Sequence, residues 1–161
     1  MTIAVGDRLP EVTLMRMGAE GPEAVPLGPI LQGGKVVIFG VPGAFTPTCH
    51  AAHVPSFIRV MDDLKAKGVT AVICVSVNDP HVMKAWGEAT GADAAGITMF
   101  ADPDCSFTEA IGMRFDAPPV GLLARSKRYA LAAEDGVVTH WHPEPERGCA
   151  VSGGEAMVAA L

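Results

Sequence analysis

Hydrophobic residues along the chain fall into two kinds of block. Val36–Val41 is a compact run rich in β-branched residues, and Val69–Val77 is another; each has the pattern of a strand buried on both faces. Between them Val54, Phe57, Ile58, Met61 and Leu64 recur at helical spacing, which predicts an amphipathic helix. It should start near Thr48 or Cys49, kink at Pro55 and end at Gly68. Asp79-Pro80 reads as a second helix start, with Asp79 as N-cap, Pro80 at the first helical position, and Val82, Met83 and Trp86 on its apolar side.

Ile97–Phe100 predicts a short strand and Ser106–Ile111 a helix, with Ser106 and Glu109 at capping-box spacing. Tyr129–Ala133 and Val137–Trp141, joined by Glu134-Asp-Gly, predict a β-hairpin. Ser152–Leu161 predicts a last helix, again with a Ser152/Glu155 box. Residues before about Lys35 read as irregular, with a short strand at Val12–Leu14 and turns at Gly21-Pro22 and Gly33-Gly34.

The order strand–helix–strand–helix–strand, then hairpin and helix, gives an α/β protein whose first two long strands are parallel, joined by a right-handed crossover. The closing antiparallel hairpin and terminal helix fit a thioredoxin-like layout: a central mixed sheet flanked by helices. Periodicity alone also allows a flavodoxin-like sheet. No repeat, linker or composition shift divides the chain, so residues 1–161 read as one domain.

Composition narrows the function classes. With 49% hydrophobic and 19% charged residues the chain is of globular type, and 161 residues suffice for one proper core. A net charge of -6 and only a short basic cluster, Arg125-Ser-Lys127-Arg128, argue against a nucleic-acid or anionic-membrane surface. The start MTIAVGDRLPEV lacks the features of a secretory signal, and no apolar run reaches membrane-spanning length, so the expected location is the cytoplasm. There, Cys49, Cys74, Cys105 and Cys149 are expected to be nucleophilic or redox groups rather than a disulfide framework, since no CxxC pair or paired zinc spacing occurs.

Cys49 has the most telling surroundings. It follows a buried strand and opens a helix, where free N–H groups and the positive end of the helix dipole converge; such a setting favours thiolate. Pro42 and Pro47 stiffen the loop, and Pro42 can shield the sulfur from water. A thioredoxin-type fold would carry a CxxC at this turn. Here Thr46-Pro-Thr-Cys49 puts a hydroxyl in the first cysteine's place, leaving one nucleophile and no dithiol.

Pro42-Gly-Ala-Phe-Thr46-Pro-Thr-Cys49, extended by His53 and Pro55, resembles the peroxide-reducing motif of the type II (peroxiredoxin-five group) peroxiredoxins. The likeness continues in CVSVNDPHVMKAW from Cys74, FADPDCSFTEAIGM from Phe100, RSKRYA from Arg125 and VSGGEAM from Val151, and so covers the chain from about Asp7. The resemblance implies a thiol-dependent peroxidase needing no metal, haem or flavin and acting on hydrogen peroxide and small organic hydroperoxides. It makes Cys49 the peroxidatic cysteine, which becomes a sulfenic acid. Thr46 would hydrogen-bond the peroxide, Arg125 would stabilise the thiolate and hold the peroxide oxygens, and Pro42 would shield the site. The Gly43 region and the Cys49 N–H would donate to substrate, while Phe45, Phe115 and Met113 are candidates for an apolar pocket floor or for plain core. Electrons would come from thioredoxin or from glutathione/glutaredoxin, and the family implies a homodimer.

For the resolving thiol the resemblance favours Cys74, with an external thiol or Cys149 as alternatives. His53 is expected to support the loop. Its spacing from Cys49 also admits a Cys–His hydrolase dyad or, with His50, a metal cluster. His50 is expected to be exposed, Cys105 to be structural, and His140 and His142 to share a strand face.

Overall fold

All 161 residues are described by a computed structural model. An N-terminal ribbon, β1 (Thr13–Gly18) and β2 (Gly21–Pro26), is followed by the short helix α1 (Gly28–Leu31) and by β3 (Lys35–Val41). After the Pro-rich loop come a π-helical turn at Cys49–His53 and helices α2 (Val54–Arg59) and α3 (Met61–Ala66). Next are β4 (Ala71–Ser76), α4 (Pro80–Thr90), α5 (Ala92–Ala95), β5 (Thr98–Ala101) and α6 (Ser106–Ala110). A small ribbon of β6 (Arg114–Ala117) and β7 (Leu122–Ser126) precedes the hairpin β8 (Tyr129–Glu134) and β9 (Val137–Pro143), and α7 (Gly154–Ala160) closes the chain.

Seven strands form one mixed sheet in the order β2-β1-β5-β4-β3-β8-β9, the thioredoxin-like arrangement. The apolar runs β3 and β4 lie at its centre in parallel register, Phe39 opposite Cys74, while β8 pairs antiparallel with the other side of β3. Side chains of β3 alternate between the two faces. Val37, Phe39 and Val41 join Cys49, Phe57, Cys74 and Trp86 in one core; Val36 and Ile38 join Leu14, Phe100, Phe107 and Leu131 in the other. No helix is long and apolar enough to cross a membrane.

The helix expected from Cys49 to Gly68 is broken into three pieces. Pro55 sits in the first turn of α2 without an N–H, so it cannot donate to the preceding turn. The chain there is wound wider, with Val54 N–H donating to the Cys49 carbonyl. Asp79 caps α4 as expected, its carboxylate accepting from Val82 N at 2.9 Å. Neither predicted capping box forms. Buried Asp102 caps α6, accepting from Phe107 N and Thr108 N at 3.1 and 2.8 Å, and Ser152 turns instead to Glu144. The first 35 residues carry a full hairpin that the weak alternation of GPEAVP hid.

Candidate active site

Cys49 lies at the start of the π-helical turn, beneath the loop that leaves the C-terminal end of β3, and its side chain is completely buried. The loop is tied down along its length. Ala44 N donates to the Asn78 side-chain oxygen at 3.0 Å, Ser76 Oγ donates to the same oxygen at 2.6 Å, and His50 N donates to the Thr46 carbonyl at 2.9 Å. Phe45 takes a left-handed backbone (φ 63°), which turns the chain into the π-helical segment. Behind the turn, Phe39 of β3 stacks on Phe57 of α2 with ring centres 4.1 Å apart, fixing the helix to the sheet.

The guanidinium at the sulfur is that of Arg128: its Nη2 donates to Cys49 Sγ at 3.0 Å, and the residue is 8% exposed. The expectation for Arg125 is therefore corrected at this contact. Arg125 belongs to the separate β6–β7 ribbon, opposite Phe115, and its Nη1 lies 2.8 Å from where a Cβ on Gly43 would sit. Arg128 immediately precedes β8, whose pairing with β3 carries it to the end of the sheet where Cys49 sits. That was the available signal: of the two arginines in RSKRYA, one adjoins a buried strand. Ala124, one residue before Arg125, adopts φ 49° with its N–H held by Asp116 at 2.6 Å.

Arg128 is itself oriented. Its Nη1 donates to His53 Nδ1 at 2.9 Å, and His53 Nε2–H donates to the Ser152 carbonyl at 2.9 Å. Burial first, and the Arg128 cation second, lower the His53 pKa to about 3, so the ring stays neutral and keeps Nδ1 as an acceptor. With one nitrogen bonded to Arg128 and the other to a carbonyl, His53 has no free lone pair to act as base toward Cys49 or to bind a metal. His50 is half-buried rather than exposed, and its Nδ1 accepts from Trp86 Nε1 at 3.1 Å.

A cleft of about 640 Å³ opens above the site, lined by Pro42, Thr46, Phe115, Lys127, Arg128 and Glu144 among others. Thr46 Oγ1 donates to the Gly43 carbonyl at 2.7 Å, which spends its proton and leaves its lone pairs to accept. Gly43 is buried, and a side chain there would press on Arg125 and Thr46. Phe45 does not belong to the pocket lining. It is 51% exposed and stacks on His50, ring centres 5.9 Å apart. Met113 is core, packed on the opposite face of the sheet.

The Redoxin family profile matches residues 4–158 of the chain. A rice chloroplastic peroxiredoxin-2E-2 is 45% identical over 99% of this chain and 73% of its own length, and a rice peroxiredoxin-2C is 42% identical over 99% and 98%. Among solved structures, reduced Prx3 from Vibrio vulnificus in complex with H2O2 superposes with TM-score 0.93 at 48% identity, over 99% of both chains. Peroxiredoxin 5 from Alvinella pompejana superposes with TM-score 0.85 at 31% identity, over 98% of this chain and 97% of its own.

The chain belongs to the type II peroxiredoxins. It is a thiol-dependent peroxidase.

In this peroxiredoxin the other three cysteines differ sharply in surroundings. Cys74, mid-strand in β4, is wholly buried in the same core as Cys49; burial, and then the neighbouring Cys49, push its thiol well up. Cys105 is also buried, in a left-handed conformation at the start of α6, so it is not the exposed oxidation target that a loop position would allow. Cys149 is half-buried in the segment between β9 and α7, its thiol raised by burial, with Sγ 3.9 Å from Ser152 Oγ. His140 and His142 share a face of β9 as expected from strand alternation.

Proposed function

We propose that this peroxiredoxin reduces hydrogen peroxide and small alkyl hydroperoxides at Cys49. The observation carrying the reading is the Arg128 Nη2–Cys49 Sγ contact at 3.0 Å, beside Thr46 and under an open cleft. The thiolate attacks one peroxide oxygen in line with the O–O bond. That bond breaks, Cys49 keeps the attacked oxygen and its proton as a sulfenic acid, and the second oxygen leaves as water or alcohol on taking a proton from solvent, the equivalent of the one the thiol gave up on ionising. Negative charge moves from sulfur to the departing oxygen, and a fixed guanidinium beside both stabilises the transfer without reorganising. Thr46 accepts the peroxide O–H through its free lone pairs, and Pro42 keeps water from the sulfur. The H2O2 held by the Vibrio vulnificus relative supports the choice of substrate.

Resolution we assign to Cys74, supported by its place in the same core as Cys49. Its attack on the sulfenic acid forms the S–S bond and releases water; an external dithiol, thioredoxin, or glutathione with glutaredoxin, then reduces the disulfide. Cys74 is fixed mid-strand, and a disulfide needs Cα atoms about 4.4–6.8 Å apart, so the π-helical turn is the segment that moves. A homodimer is supported by exposed apolar residues, Phe45 and Val151 on loops and Val120 and Leu123 on the β6–β7 ribbon. We place the protein in the cytoplasm, where its cysteines would stay reduced.

Steady-state peroxide consumption with each reductant, followed by peptide mapping of the oxidised protein, tests the reading. Cys49→Ser should be inactive, and the mapped disulfide should join Cys49 to Cys74. Turnover surviving Cys49→Ser would remove the proposal; a bond to Cys149, or glutathione on Cys49, would move the resolving role.

A further inference from the structure

The segment from Glu144 to Ser152 is folded around one carboxylate. Glu144 Oε1 accepts from Ala150 N at 3.1 Å, while Oε2 accepts from Val151 N at 2.9 Å, Ser152 N at 2.7 Å and Ser152 Oγ at 2.6 Å. Three consecutive N–H groups and a hydroxyl thus converge on a single side chain, a ring closed over eight residues. Its own N–H donates to the Arg128 carbonyl at 2.9 Å, so Glu144 is anchored to the arginine's backbone as well.

The product of that ring is the position of one carbonyl. Ser152 C=O accepts from His53 Nε2–H at 2.9 Å, His53 Nδ1 accepts from Arg128 Nη1 at 2.9 Å, and Arg128 Nη2 reaches Cys49 Sγ at 3.0 Å. His53 and Ser152 are completely buried and Arg128 nearly so, so no solvent rearrangement substitutes for a lost link. Were the Ser152 carbonyl to leave, the His53 ring would lose the partner that holds its proton on Nε2. Nδ1 would then no longer be a committed acceptor, and the guanidinium would lose one of its two anchors.

We propose that Glu144 is a positioning residue for peroxide reduction, acting through Ser152, His53 and Arg128 on the Cys49 sulfur. The proposal rests on Cys49 being the attacking sulfur and adds to it a device more than ninety positions away in sequence. A carboxylate is required because all four partners donate. Glutamine could accept on one oxygen only, and its NH2 would face an N–H donor in either orientation. Aspartate keeps the two acceptors on a shorter stem. The chain of bonds is also consistent with the state of the carboxyl. Burial alone would raise it, but the Ser152 hydroxyl and the three N–H groups outweigh that and hold it below the usual range.

The test compares wild type, Glu144→Gln, Glu144→Asp and Ser152→Ala by two rates. One is the single-turnover rate of peroxide consumption by the reduced protein. The other is alkylation of Cys49 by iodoacetamide, followed at that residue by peptide mapping. Urea midpoints report stability separately. We expect Glu144→Gln to be about tenfold slower in both rates. Glu144→Asp should recover most of the loss, and Ser152→Ala should shift both rates in the same direction by less. A purely structural role would lower the urea midpoint and leave the rates of the folded protein alone. Wild-type rates in folded Glu144→Gln would overturn the proposal; should that variant not fold, wild-type rates in Ser152→Ala would do so. If Cys49→Ser still consumed peroxide, the reading of the site would fail instead, a different result in a different protein.

Discussion

At the scale of single residues, the site depends on which of two nearby arginines meets the sulfur. Arg128 combines a charged donor on Cys49 Sγ with a second bond to His53, and both use the planar fork that lysine lacks. Arg128→Lys should therefore lower the rate of peroxide consumption about 100-fold, within the range of losing a transition-state donor. Arg125→Lys, on the outer ribbon, should change it by about twofold. Stopped-flow consumption of peroxide by the reduced variants measures both; equal losses would mean that Arg125 shares the role. The sequence pointed to Cys49, Thr46 and Pro42 as candidates because their spacing within one loop is itself the pattern. It pointed to Arg125 where the structure puts Arg128, because that choice is made by the pairing of β8 with β3, a contact across some ninety positions. Glu144 left no local signal at all, since its partners become visible only when the chain has folded back on it.

At the scale of elements, the wide turn at Cys49–His53 is what places the sulfur under the loop. Alternating and helical hydrophobic patterns located β3, β4, β5, the β8–β9 hairpin and α4 to within a few residues, because each buries a regular face. They missed the π-helical turn, since a winding change of one residue leaves the apolar spacing of Val54, Phe57 and Met61 intact. They also missed β2 and the β6–β7 ribbon, which lie at the edge or outside the main sheet and bury little. Pro55 supports the wide turn by withholding an N–H. Pro55→Ala restores that donor and favours an ordinary α-helical turn, which would rotate Cys49 away from Arg128. The expected outcome is a folded protein by circular dichroism, about tenfold slower toward peroxide. Unchanged kinetics would show that the turn keeps its shape without the proline.

At the scale of the whole molecule, the buried histidine ties activity machinery to acid stability. His53 has a folded pKa of about 3, against about 6.5 in an unfolded chain, so below the higher value the unfolded state binds the extra proton. Its contribution to stability is complete above about pH 6.5 and is lost progressively as the pH falls toward 3, at up to about 1.4 kcal/mol per pH unit. Glu144, whose carboxyl is held low, adds a loss in the same direction at the acid end. Denaturant titrations between about pH 4 and pH 6 should show this slope. His53→Gln should reduce it by about one proton, and an unchanged slope in that variant would assign the acid sensitivity to other groups.

The chemistry of the site converges on one sulfur, and a sulfenic-acid trap reads it directly. Reduced protein carrying Cys74→Ser is treated with one equivalent of hydrogen peroxide in the presence of dimedone, then digested and mapped by mass. A single dimedone adduct is expected on Cys49, formed about as fast as peroxide disappears. An adduct on Cys105 or Cys149 with Cys49 left unmodified would contradict it.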